Sequence, residues 1–380
     1  MKDKVLLVDD DEMVLAGLKR QLRNQFSIDT ALSGEAALKQ VRENGPYAVI
    51  VSDFLMPGMN GVEFLSNVKK TDPTTIRMML TGTADMPTAI RAVNEGSIYQ
   101  FHPKPCPADI LCQAIQSAIG EYRKVVSAQR QLKNFKSSLA QASAVQQKLL
   151  PKSDPQVDGF DIAGRSIWCD ETGGDYYDFL YPAGNGHKRI GIVVGDVTHH
   201  GIPSALLMTT ARAFLRERVQ TAPGACADII SDVNKRLVRD IEELNMFMTM
   251  FYAEIDIKEK IIRWVKAGHD PAILYTPGMD SHELLAGEGL PLGVMEDAVY
   301  KESQKQINPG QIILIGTDGI KEAVNASGEM YGNERLLATL RKYTGQSARE
   351  ILDRVFEGLN DFRHPLEPDD DETLVVIKVL

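Results

Sequence analysis

AVIVSDFLMPGMNG, residues 48–61, is the stretch on which the N-terminal fold turns. A short apolar run ends on Asp53 and gives way, from Gly61 to Lys69, to a segment with helical character. The same step repeats on either side. VLLVDD (5–10), SIDTAL (27–32), IRMMLT (76–81) and SIYQFH (97–102) read as four further strands. Helix-like segments lie near Glu12–Asn24, Gly34–Glu43 and Met86–Glu95, and from Pro107 onward. Strands alternating with helices predict a parallel sheet covered on both faces, a doubly wound α/β domain of five strands.

Open parallel sheets place their ligand sites beyond the strand ends, and chemistry-bearing residues collect there. Asp9 and Asp10 end the first strand, Asp53 the third and Thr81 the fourth, while Lys104 follows the fifth. Carboxylates clustered at one edge repel one another unless a cation sits among them, and an oxygen-only set suits magnesium. Beside such an ion Asp53 is a plausible nucleophile toward a phosphoryl group, whose oxygens Thr81 and Lys104 would bind by hydroxyl and ammonium. VDDD, VSDFLMPGMNG, LTGTAD and HPKPC stand in the order and on the elements of a response-regulator receiver domain, which residues 1–120 resemble. That resemblance implies phosphorylation of Asp53 with a sensor histidine kinase as source. It implies Mg2+ held by Asp9 or Asp10 with Asp53 and the Leu55 carbonyl, Phe101 as the switch aromatic beside Thr81, and a cis proline at Pro105.

The last receiver helix is not expected to stop at the domain edge. Val125, Ala128, Leu132, Phe135, Leu139, Ala142, Gln146 and Leu149 recur at alternating spacings of three and four among Lys, Arg, Gln and Ser. This is a heptad seam, and it predicts a coiled-coil connector over 121–152 that holds two chains together as a homodimer. Pro151 and the polar PKSDPQVDG stretch end it. No glycine lies between Glu121 and Pro151, as a stiff transmitter requires.

Residues 153–380 change character. RIGIVVGD, FMTMFYAEID, IIRWVKAG and QIILIGTD read as strands, with helical stretches near Ile202–Val219, Ala225–Glu243 and Asn333–Asn360, which suggests an α+β layered fold. Four acidic signatures are spread through it: GGDYYD at Asp175, VVGDV at Asp196, IGTDGIKEA at Asp318 and PDDDETLVV at Asp370. A fold that brought these carboxylates together would do so against their repulsion, and a pair of divalent cations would offset it and form a hydrolytic centre for a phosphate.

VQQKLLP, ETGGDYYDF, GDVTHHGIPSALLM, FMTMFYAEID, AGHDPAILY, LPLGV, TDGIKEA and DDETLVVIKV run in the order of the bacterial SpoIIE-type branch of the PPM phosphatases, which residues from about 146 to 380 resemble. The resemblance implies an α/β/β/α sandwich, two Mn2+ or Mg2+ ions, and phosphoserine or phosphothreonine on a protein as substrate. It suggests a STAS-type anti-sigma-factor antagonist as that protein. Asp196 would bridge both ions, Asp175 and the Val197 carbonyl would serve one, and Asp318 with Asp370 the other. Asp370 is preferred to Asp371 because it lies three positions before Thr373.

The chain departs from the family at VTHHG, where His199 stands in place of a usual glycine. A histidine here could protonate a leaving serine oxygen; otherwise His199 or His200 lies solvent-exposed in the loop or caps the following helix, or the departure at His199 obstructs the site. The rival to an enzyme is therefore a catalytically silent adaptor that binds a sigma factor or its regulator. Retention of all four metal carboxylates favours the enzyme.

Composition narrows the classes further. A net charge of -10 argues against nucleic acid as the main partner. Cys106, Cys112, Cys169 and Cys226 form no CxxC pair, as expected of reduced thiols in the cytoplasm. No apolar stretch approaches the length of a membrane span.

Overall fold

The computed structural model describes residues 3–82, 98–184, 186, 188–222, 224–242 and 244–380. The chain divides into two compact units, Met1–Lys136 and Ser137–Leu380.

The first unit runs β1 (Lys4–Val8), α1 (Glu12–Leu22), β2 (Ser27–Ala31), α2 (Gly34–Asn44), β3 (Val49–Asp53), α3 (Gly61–Thr71), β4 (Ile76–Thr81), β5 (Gln100–Pro103) and α4 (Ala108–Gln147). Its strands form one parallel sheet in the order β2-β1-β3-β4-β5. Successive strand side chains point to opposite faces, and here both faces are covered. Val5, Leu7, Val49, Val51 and Met78 pack with Leu111, Ile115 and Ala118 of α4. Leu6, Val8, Ile50 and Met79 pack with Ala37, Val41, Phe64 and Val68 of α2 and α3. Double coverage is why the inner strands β1, β3 and β4 read as largely apolar runs.

Side-chain caps start α1, α2 and α3: Asp11 accepts from Met13 and Val14, Ser33 from Ala36, and Asn60 from Glu63. The fifth strand begins later than SIYQFH suggests, at Gln100. The helix expected at Met86–Glu95 lies outside the described residues. The Lys104–Pro105 peptide is cis.

The second unit holds two five-stranded sheets. The first, in the order β13-β10-β9-β8-β7, comprises β7 (Tyr176–Leu180), β8 (Arg189–Val197), β9 (Met248–Asp256), β10 (Ile261–Ala267) and β13 (Ser303–Gln306). The other, β12-β11-β14-β15-β6, comprises β6 (Phe160–Ile167), β11 (Ala272–Thr276), β12 (Ser281–Leu285), β14 (Ile312–Gly316) and β15 (Glu372–Val379). Between the sheets lies a core that includes Ile190, Ile192, Val194, Phe251, Ile313, Val375 and Ile377.

Helices α5 (Ile202–Thr221) and α6 (Cys226–Ile241) cover the first sheet through Val193, Met208, Leu215, Val233 and Leu237. Beyond the short α7 (Asp318–Glu322), helices α8 (Gly332–Tyr343) and α9 (Ala348–Arg363) cover the second through Leu314, Val376, Leu340, Val355 and Leu359. The layers are α/β/β/α, as the resemblance implies.

Two expectations change in detail. The single helical stretch at Asn333–Asn360 is two helices, because Ser347 starts a new one with a reciprocal capping box to Glu350. The connector seam also ends earlier. α4 stops at Gln147, so Leu149 falls beyond the helix, and Gln146 is buried against its own unit rather than facing outward.

Candidate active site

In the first unit the strand ends assemble an acidic pocket. Asp9 and Asp53 are nearly fully buried, Asp10 is exposed, and the three carboxylates lie close enough together to hold one ion. Lys104 Nζ reaches both buried acids, at 2.7 Å from Asp9 Oδ2 and 2.6 Å from Asp53 Oδ1. Burial pushes the Asp53 carboxyl above its ordinary range while Lys104 pulls against it. The donor set is oxygen-only and suits a hard cation. Thr81 is buried and donates to the Gly82 carbonyl, while Phe101 is half-buried. The Leu55 side chain is exposed. Gly61 is required sterically, since a Cβ there would collide with the Asp53 carbonyl.

In the second unit the four acidic signatures converge. Asp175 is buried; its Oδ2 accepts from Thr317 Oγ1 at 2.8 Å, and its Oδ1 has no hydrogen-bond partner. Burial, then the charges of Asp196 and Asp371, drive its carboxyl well above the ordinary range. Asp196 is the penultimate residue of β8, and its carboxyl is pushed up to about 8 by burial and by Asp318, Asp370 and Asp371. Asp370 is raised too, by burial first and then by Asp318 and Asp371. Such mutual repulsion with an orphaned buried oxygen is what divalent cations relieve, so the residues present fit the ions. The GGD loop is seated against the remaining ligand candidate, for a Cβ at Gly174 would press on the Val197 carbonyl.

Three supporting features have a part in the site that the sequence does not signal. Asp371 is buried, and its two oxygens accept from the backbone N–H groups of Cys169 (2.9 Å), Gly174 (2.7 Å) and Asp175 (3.2 Å). Within the DDD run Asp371 therefore pins a loop, and Asp370 caps it by accepting from the Asp371 N–H at 2.8 Å. Gln146, at the end of α4, grips that same loop: its Nε2 donates to the Gly173 carbonyl at 2.6 Å and its Oε1 accepts from the Gly173 N–H at 3.2 Å.

The third feature is His269. It lines a small cavity with Asp196, Thr249, Gly268, Asp270 and Asp318. Its Nδ1 lies 2.8 Å from Thr249 Oγ1, and burial holds the imidazole down at about 4, so the ring is neutral near pH 7. Asp270 and then the Gly316 carbonyl favour the protonated ring against this burial, and Nε2 has no hydrogen-bond partner. AGHDPAILY was a legible motif, yet nothing in it singles out this histidine over the VTHHG pair. Those two are exposed: His199 holds a positive φ of 66°, and His200 Nδ1 lies 2.5 Å from Asp170 Oδ2.

The family described as Stage II sporulation protein E (SpoIIE) matches residues 186–380, and the family described as response regulator receiver domain matches residues 5–116. Among curated proteins the chain is similar to phosphoserine phosphatase RsbU of Bacillus subtilis, 28% identical over 244 residues that cover 64% of this chain and 70% of RsbU. It is also 28% identical over 249 residues to protein IcfG of Synechocystis, covering 58% of this chain and 38% of IcfG. Among solved structures the SiaA-PP2C domain of Pseudomonas aeruginosa superposes with a TM-score of 0.56 at 22% identity, over 65% of this chain and 98% of that domain. The PP2C phosphatase domain of SpoIIE from Bacillus subtilis gives 0.50 at 16% identity, over 58% and 61%. At these identities the two superpositions speak for the fold.

Proposed function

From the premise that this chain belongs to the SpoIIE family and carries a response regulator receiver domain, we propose that it is a receiver-controlled, metal-dependent phosphoserine/phosphothreonine protein phosphatase of a partner-switching pathway. The convergence of Asp175, Asp196, Asp318 and Asp370 from separate segments carries this reading. Asp196 would bridge two Mn2+ or Mg2+ ions, with Asp175 and the Val197 carbonyl on one side and Asp318 and Asp370 on the other. When bound, the ions lower the pKa of a water and polarise the phosphate. The chain's own part is to position the acids: Thr317 donates to Asp175, and Asp371, although its charge adds to the repulsion, pins the GGD loop by accepting from its backbone. Neutral His269 lines the cavity as a hydrogen-bonding group toward substrate.

A phosphoserine-bearing antagonist of the STAS type is the proposed substrate, as the family resemblance suggests. A sensor histidine kinase is the proposed source of phosphate for Asp53, with Mg2+ on Asp9, Asp10, Asp53 and the Leu55 carbonyl, and the setting is cytoplasmic. Among the described residues no helix is long and apolar enough to cross a membrane. Two chains would pair through the connector.

The test is manganese-dependent release of phosphate from a phosphoserine protein. Asp196→Asn is expected to lower turnover beyond the roughly hundredfold typical of losing an outer-shell partner of a metal site. Undiminished turnover in that variant would sink the two-metal reading, and no turnover in the parent with manganese bound would favour the adaptor. Asp53→Asn is expected to abolish labelling by a small acyl-phosphate donor.

A further inference from the structure

Beside the acidic centre the loop after β6 and the loop after β8 bring three unlike donors together. The thiol of Cys169, the carboxylate of Asp170 and the imidazole of His200 offer ligand atoms that all lie within 4.8 Å of one another. From this geometry we propose that Cys169, Asp170 and His200 form a binding site for a zinc-class divalent ion, distinct from the oxygen-only centre around Asp196.

The donor chemistry argues for the ion. Zinc takes sulfur at about 2.3 Å and nitrogen at about 2.0–2.1 Å in a tetrahedron, which sets donors roughly 3–4 Å apart. The three ligand atoms need only small movements to reach that spacing. Asp170 Oδ2 and His200 Nδ1, at 2.5 Å, must separate a little as the ion replaces the contact between them. Thiolate and imidazole select zinc over magnesium or manganese, whereas an all-carboxylate set does the reverse. The two neighbouring sites therefore sort cations by softness. Three protein ligands leave a fourth position open. Asp170 and His200 are exposed, so that position is reachable from solvent.

The site is also wired to the acidic centre through backbone. The Cys169 N–H donates to Asp371 Oδ1, and Asp371 Oδ2 accepts from the N–H of Asp175. An ion on Cys169 thus anchors the loop that presents Asp175.

Cobalt(II) is the probe, because thiolate ligation gives it a sulfur-to-metal charge-transfer absorption. The full chain, reduced and saturated with Mg2+, is titrated with Co2+. One equivalent is expected to develop the band, and Zn2+ is expected to erase it. Cys169→Ser should abolish the band, and His200→Gln and Asp170→Ala should each weaken cobalt binding about tenfold or more. Cys106→Ser and Asp196→Asn should retain it. Asp170 is exposed, so its variant tests the site even if Cys169→Ser folds poorly. A parent without the band, or a band that survives Cys169→Ser, overturns the proposal. The readout involves no hydrolysis, so a silent cobalt spectrum with intact manganese-dependent turnover would remove this site and leave the phosphatase reading standing.

Discussion

His199 holds φ at 66°, the left-handed region in which an L side chain crowds its own backbone. That conformation costs roughly 1–2 kcal/mol in a residue with a Cβ, whereas glycine adopts it freely. His199→Gly relieves the strain but gives the unfolded chain more freedom, so the net expectation is a gain of about 0.5–1 kcal/mol, read from the denaturant midpoint. Asp196 yields a pH dependence. Its carboxyl moves from an ordinary value of 3.8 to about 8 in the folded chain, so the folded state binds the proton more tightly than the unfolded state does. That contribution is fully present below about pH 4 and is lost as pH rises through about 8. In the presence of a chelator the melting temperature of the parent should therefore fall more steeply over this window than that of Asp196→Asn. Stabilisation by Mn2+ should grow over the same window, because the ion takes the place of the proton. Asp53 and Asp196 were legible because each ends an apolar run. Asp371 and Gln146 were not, since a hydrogen bond to the backbone of a distant loop leaves no period in the sequence.

Elements were legible where burial imposes a period. β8 alternates Ile190, Ile192 and Val194 toward the other sheet with Val193 toward the helices. Edge strands β12 and β13 are largely exposed, carry polar residues and gave no such signal. The break between α8 and α9 depends on one cap, and Ser347→Ala is expected to cost about 1 kcal/mol by chemical denaturation. α4 ends in the amide clasp of Gln146 on Gly173, which ties this helix to the GGD loop. Gln146→Ala strands two buried backbone groups, at about 1–3 kcal/mol each if water does not replace the amide. Its expected signature is uncoupling: phosphatase rates with and without an acyl-phosphate donor should converge, while the Asp53 of the variant still accepts label.

At the scale of the whole molecule the division into two units was readable from the change of pattern after Pro151, although the compact units part earlier, between Lys136 and Ser137. The difference arises because the last turns of α4 already belong to the second unit's packing through Gln146. Leu132 and Phe135 on α4 are 55% and 57% exposed, which a lone helix would leave against water. Light scattering at micromolar concentration is expected to report a dimer, and Leu132→Glu with Phe135→Glu a monomer. Four alanines inserted after Ser138 keep the helix but rotate the seam, and should abolish the response to phosphorylation if packed helices carry it. One pairing within the second unit reaches further. β6 opens that unit, yet its partner is β15, the last strand, with Phe160 opposite Val379. On a ribosome the receiver can close its sheet long before β15 emerges, and the nascent hydrolase stays an open half-sandwich until Asp370 and Asp371 arrive with that strand. Synthesis would thus order the two units in time: the first sheet can form early, whereas the acidic centre of the second waits for β15 and the carboxylates just before it.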